Sequence, residues 1–330
     1  MQGAFLQIFS MFLIMALGVL IRVKGLLSKQ AIKELNHVTI SILFPALFFM
    51  QMVTLDLASV FDVRFILAAN AVLILTYLLS LLVGKLMSPK DEKRQVAITQ
   101  VIYVANLVVV GIPMVGSYFE GNPLAATYNG LAMMVLFFAL FYHNIIPITR
   151  FEMVSGSTLP MGKIILNVFK NPIVISIVAA AIVNLIDTST GLNFFKSKEI
   201  APQFILKPLG MLGHAAPVMV FLSIGYNMNF NLEKSAALPL AVATLTSLIL
   251  VPILTFFICY FFKLPADQAL IIVIMFASPT APYLYNLMVP YDLRLEMVQY
   301  TVVTTMIGYL VIMPLFLWLF PSILKVMGMA

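Results

Sequence analysis

Ten long apolar runs follow one another through this chain, with only short polar punctuation between them. They lie near Ala4–Ile21, Val38–Leu55, Phe65–Met87, Val96–Phe119 and Tyr128–Ile148, then Asn171–Ile186, Leu206–Gly225, Leu238–Phe262, Gln268–Val289 and Val298–Ser322. A helix of about 20 apolar residues crosses the hydrocarbon core of a bilayer. The alternating inside-outside pattern of a membrane barrel is absent, so the runs predict helices. Composition agrees: 62% of the residues are hydrophobic, 10% are charged and the mean hydropathy is +1.06. A soluble domain carries roughly a quarter charged residues. The expected fold class is an all-α polytopic membrane protein with ten transmembrane helices. Cys259 is the lone cysteine, which excludes a disulfide framework or a thiolate zinc site. The first run lacks a preceding basic segment and a small-residue cleavage site, so it reads as a retained span.

Lysine and arginine sort by side. The connections after odd-numbered spans hold Arg22, Lys24, Lys29, Lys33, Lys85, Lys90, Lys93, Arg94, Arg150, Lys163, Lys170, Lys234 and Arg294. The opposite side holds Arg64, Lys196, Lys198, Lys207, Lys263 and Lys325. Thirteen of the 19 basic residues therefore share one side, which predicts a cell-membrane protein with both termini outside the cytoplasm. The net charge of +6 follows from loop placement and does not call for nucleic acid.

Prolines relate the two halves. Pro113 and Pro279 are 166 residues apart, Pro147 and Pro314 are 167 apart, and Pro45 and Pro217 are 172 apart. Three pairs at nearly one offset predict a duplicated five-span unit, residues 1–163 and 164–330. Five is odd, so the second copy enters the membrane from the opposite side. Inverted repeats are a recurrent plan of secondary carriers, which bind substrate near the midplane at discontinuous helices.

The fourth run, VANLVVVGIPMVGSYF, carries Gly111 and Pro113 in its middle; the ninth carries Pro279 and Pro282 in FASPTAPYLYN. Proline removes an amide proton and its ring meets the carbonyl four residues back, while glycine relieves steric restriction. Both runs are expected to break in mid-membrane. A half-helix that starts at a break offers unpaired amide protons and partial positive charge, hence an anion site. Asn106, Ser278, Thr280, Tyr283 and Asn286 stand beside the breaks and add neutral hydrogen-bonding groups, with interhelical packing as the alternative role for each. Pro45 and Pro217 are candidate hinges. No Asp, Glu, Lys or Arg falls in the middle of a span, which argues against a cation or proton antiporter built on midplane carboxylates. His143 and His214 are candidates for a proton-linked cycle, against the alternative of neutral histidines bonded to neighbouring helices. His37 reads as interfacial.

These segments resemble the auxin efflux carrier family, which includes plant PIN carriers and bacterial permeases of malate or malonate. Asn106–Met114, NLVVVGIPM, is similar to its fourth-helix signature, and Leu35–Phe49 to its second-helix pattern. Leu206–Asn227 resembles the seventh-helix pattern and Ala277–Ala281, ASPTA, that of the ninth. Pro282-Tyr283 stand where many bacterial members carry an asparagine, with Asn286 following later. The connection between the fifth and sixth spans is short, unlike the long loop of many plant members. The resemblance implies crossed fourth and ninth helices, elevator-like alternation of a transport bundle against a scaffold, and often a homodimer. It implies organic-anion substrates, mainly small carboxylates, with Asn106 as the matching substrate-binding asparagine.

The function expected is secondary transport of a small mono- or dicarboxylate, with no cofactor beyond a coupling proton or sodium ion. A sodium-coupled symporter of the bile-acid carrier type, holding sodium on carbonyls and hydroxyls at the same breaks, is the competing transport reading. A non-transporting membrane ligand sensor is the third. An enzyme is not expected: the chain has no His-Glu-x-x-His, paired membrane aspartates or Gly-x-Ser motif within a span.

Overall fold

The computed structural model describes residues 2–156, 159–197, 199–228, 237–291 and 293–326. Among them the chain is an all-α polytopic membrane protein. Among the described residues, eight helices are long and apolar enough to cross a membrane. They are α1 (Gln2–Val23), α2 (Lys29–Val53), α3 (Val63–Met87), α6 (Ala125–Ser155), α8 (Pro172–Ser189), α9 (Ile200–Asn227), α10 (Ala237–Phe261) and α13 (Leu295–Val326). The fourth and ninth apolar runs are interrupted. They form α4 (Glu92–Tyr103) with α5 (Leu107–Tyr118), and α11 (Ala266–Phe276) with α12 (Tyr283–Met288).

Side-chain caps set several starts. Asp62 accepts from the amides of Arg64 and Phe65, Asp91 from Arg94, and Asn171 from Ile173. Each satisfies a donor that the first helical turn leaves open. Gly156 closes α6 in the left-handed region at φ 74°, where a side chain would be strained. The stretch from Arg150 to Lys170, expected as a connection, is mostly helical. α6 runs through Pro147 to Ser155, and Met161–Phe169 forms a short amphipathic helix, α7. Sequence windows tuned to continuous apolarity pass over a two-turn amphipathic helix.

Three prolines share a local solution. Pro45, Pro113 and Pro252 each follow a π turn, at Thr39–Leu43, Leu107–Gly111 and Thr246–Leu250. In each case the carbonyl four residues before the ring lies inside the π turn, which widens there and makes room.

Contacts divide the chain into two compact units. One comprises residues 9–61 and 166–228, hence most of α1, with α2, α8 and α9. Its core packs Val53, Ala180 and Leu206 together with Phe49 and Met50. Asn184 of α8 donates to the carbonyls of Met52, Val53 and Leu55 at 2.6–3.0 Å, closing the C-terminal end of α2. Helices α1 and α9 meet backbone to backbone. A Cβ on Gly18 would strike the carbonyl of Leu222, and one on Gly225 that of Met15.

The other unit comprises residues 1–8, 62–165 and 229–330, and holds α3 to α6 and α10 to α13. Thr99 of α4 donates to the carbonyl of Ser80 in α3 at 3.3 Å. Tyr128, near the start of α6, donates to Asp267 at 2.5 Å, and Gln268 donates to Asp62 at 3.2 Å. Beyond the far end of α6, Leu159 N–H donates to Glu152 at 3.1 Å and the Tyr291 hydroxyl donates to it at 2.8 Å. Burial and the Glu152 carboxylate push the Tyr291 phenol up to about 12. Each unit draws helices from both halves of the chain.

Candidate functional site

Both interrupted helices lie in the second of these units, and their interruptions pair with each other. After Tyr103 the backbone leaves the helix at Val104 and resumes it at Leu107; after Phe276 it leaves at Ala277 and resumes at Tyr283. Between these ends Ala105 and Thr280 form an isolated antiparallel bridge. Asn106 N–H donates to the carbonyl of Pro279 at 2.7 Å, and Ala281 N–H donates to that of Val104 at 2.9 Å. The Thr280 hydroxyl donates to the Val101 carbonyl at 2.6 Å, while its amide donates to Thr305 Oγ1 of α13 at 3.1 Å. Backbone groups freed by one break thus satisfy groups freed by the other, which removes a cost of several kcal/mol per orphan in hydrocarbon. Pro279 fits here because the pairing asks only for its carbonyl.

Asn106 organises the start of α5. Its carbonyl accepts from Val110 and Gly111 at 3.2 and 3.1 Å, and its Oδ1 accepts from Val109 at 3.3 Å. The amide of Leu107 turns back to the Ala105 carbonyl at 3.0 Å. The expectation of a half-helix offering a row of unpaired amides is corrected for α5 in part: Asn106, a strong helix cap, takes those of Val109, Val110 and Gly111, and the Ala105 carbonyl takes that of Leu107. Partial positive charge remains at this end. So does Nδ2 of Asn106, buried at 3% exposure with no partner among the described residues. The Val109 contact fixes Oδ1 as the acceptor, so Nδ2 is the open end.

Two local expectations are also corrected. Pro113 does not open the helix where it stands; it sits within the first turn of regular helix behind the π turn, and the interruption lies at Val104–Asn106. Gly111 does not supply unusual backbone freedom, since it is helical at φ −58°. It supplies closeness: a Cβ there would lie 2.8 Å from Met275 Sδ and 3.3 Å from Ser278 Oγ of the facing broken helix.

The remaining candidates divide. Ser278 and Thr280 are buried at the break, the former donating to Ile274 O at 3.2 Å. Pro282 caps α12, and Tyr283, its first residue, donates from its hydroxyl to the His143 carbonyl at 3.4 Å. The backbone of Asn286 lies in α12, but its side chain is outside the described residues. His143 of α6 is buried, with its ring edge-on to Tyr103 at 4.8 Å. Tyr103 in turn lies 5.0 Å from the ring of Tyr77 in α3. His214, Pro45 and Pro217 belong to the other unit, where His214 is exposed on α9 and Pro217 lies inside it.

Sequence reasoning missed Tyr77, Tyr103 and Thr305. Tyr103 carried one signal, its place three residues before Asn106. The other two come from helices distant in sequence. Among the described residues no group of three His, Cys, Asp or Glu side chains is placed to hold a metal ion. A groove between α3 and α10, lined by Ala71, Leu75, Phe257 and Phe261, is apolar and offers nothing to an anion.

Membrane-length helices together with two interrupted ones, paired beside a buried asparagine, define a polytopic protein of the transporter class. The chain belongs to the membrane transport protein family, which it matches over residues 4–317, the auxin efflux carrier family resembled by its second, fourth, seventh and ninth runs. It is a multi-pass membrane transporter of that type. No curated protein shows a significant match to it.

Proposed function

We propose that this protein is a secondary active carrier of small organic anions, mono- or dicarboxylates, that uses neutral dipoles to hold the anion beside the paired breaks. The observation that carries the reading is the unpartnered, buried Nδ2 of Asn106 at the positive end of α5. A carboxylate oxygen accepts what that amide donates, and the α5 dipole adds about 0.3–1 kcal/mol. Without a buried lysine the anion is not trapped, and release stays fast. Pro279, Thr280 and Ser278 shape the opposing wall, and Gly111 lets the two walls approach.

Ten spans in two inverted repeats, residues 1–163 and 164–330, fit this role. So does elevator-like alternation, with the unit that holds the breaks carrying the anion. A homodimer in the cell membrane, with both termini outside the cytoplasm, completes the proposal, and a proton or sodium ion is the candidate driver. The competing reading, a sodium-coupled symporter, places sodium on carbonyls and hydroxyls at the same breaks, and uptake indifferent to sodium dismisses it.

The test is flux. Purified protein in liposomes should take up or exchange labelled carboxylates, and Asn106→Ala should lower uptake about tenfold or more, the worth of a charged hydrogen bond. Uptake that is indifferent to Asn106→Ala would overturn the site.

A further inference from the structure

We infer that the protein also recognises a hydroxyl group on its anion, through Tyr103 and His143, so that its preferred substrates are hydroxylated carboxylates. This deepens the anion reading above and rests on it.

Tyr103 is 1% exposed and His143 is 3% exposed, yet neither the Tyr103 hydroxyl nor His143 Nε2 has a partner among the described residues. Their rings lie 4.8 Å apart, edge to face. Tyr283 uses the backbone carbonyl of His143, not its imidazole. If this cluster served packing alone, phenylalanine and leucine would fill it without orphaned polar atoms, which are costly in a dry interior. Buried polar groups left open together indicate a guest with matching groups.

The guest's chemistry follows from the pair. A phenol both donates and accepts, and a neutral imidazole nitrogen does one or the other according to its tautomer. A hydroxyl, itself donor and acceptor, satisfies both groups whichever tautomer is present. A carbonyl or carboxylate satisfies them only when both donate, and a second carboxylate here would lack the helix end that faces the first. The position is suitable. Tyr103 ends α4 and Asn106 begins α5, so their Cα atoms are at most about 10 Å apart across three peptide units. That spacing along the chain is within the length of a short hydroxy acid, the class of guest the test uses.

The experiment uses the full-length protein with butyrate, its 2-, 3- and 4-hydroxy derivatives and 2-oxobutyrate, measuring affinity by calorimetry and uptake in liposomes. At least one hydroxy derivative should bind about tenfold more tightly than butyrate, the worth of one buried hydrogen bond pair. In Tyr103→Phe and in His143→Phe that ratio should collapse toward one. If no isomer is preferred, or the preference survives both substitutions, the inference is overturned and the two polar atoms belong to an ordered water. Absence of a preference in the unsubstituted protein overturns the inference even if a variant fails to fold, and whichever of the two variants folds tests the assignment. The parent reading fails separately: butyrate binding that ignores Asn106→Ala sinks the anion site, whereas Asn106-dependent binding without hydroxyl preference sinks only this inference.

Discussion

Asn106 shows how much one residue can do at a helix interruption. Its amide crosses to the other broken helix, its carbonyl and Oδ1 close the first turn of α5, and Nδ2 alone is left for a guest. That division of labour separates its possible replacements. Asn106→Asp should keep the cap on Val109 but put negative charge where the anion binds, so uptake should fall with little loss of melting temperature. Asn106→Ala should lose both. Glycines give a second contrast at this scale. Gly225→Ala sets a methyl group against the backbone of Met15 and should destabilise by about 1–3 kcal/mol, the usual cost of overpacking. Gly111→Ala meets the end of a flexible methionine, Met275, and should cost less. Thermal melts of the two variants in detergent check the order. The importance of Gly111 was legible in the sequence, but its reason was not, because close approach is a property of two helices.

At the scale of elements, the breaks are stabilised by one another rather than by proline. Thr280→Val removes the hydroxyl bond to the Val101 carbonyl and leaves a buried acceptor open, so it should cost about 1–3 kcal/mol. Pro113→Ala leaves the Ala105–Thr280 bridge untouched and should keep the interruption and most of the flux. The two variants together, scored by melting temperature and uptake, test which feature holds the break. A pH-dependent link ties α4 to the start of α13. Asp91 is held below the usual carboxylate range, first by the Arg94 amide, against a contribution from burial, and then by Arg294 at 2.6 Å. A lowered carboxylate stabilises the folded state above its unfolded value, about 3.9, and that contribution fades as pH falls through the lower folded value. Both side chains are partly exposed, so the ion pair contributes at most about 1 kcal/mol. Asp91→Asn should melt below the parent protein at pH 6, and the difference should close toward pH 3 and below.

At the scale of the whole molecule, the orientation proposal predicts that tags on either terminus of the intact protein are labelled by impermeant reagents from outside the cell. The direction in which flux responds to imposed proton and sodium gradients then identifies the driver. What the sequence determined alone was the solvent. Apolar runs of membrane length and scarce charge dictate helices, because only a helix satisfies its own backbone in lipid. It also marked where those helices would fail, since proline and glycine act within a few residues of where they stand. Only the tertiary structure decided that the two failures meet, that Asn106 takes three of the amides expected to be open, and that Tyr77, Tyr103 and His143 converge from α3, α4 and α6. The grouping of helices into two interleaved units came from the same source. The physical reason is common to all of these. Local chemistry tells a backbone where it cannot continue, but which group satisfies the freed ones is settled by how separate runs pack, and for the two breaks that partner comes from more than a hundred residues away.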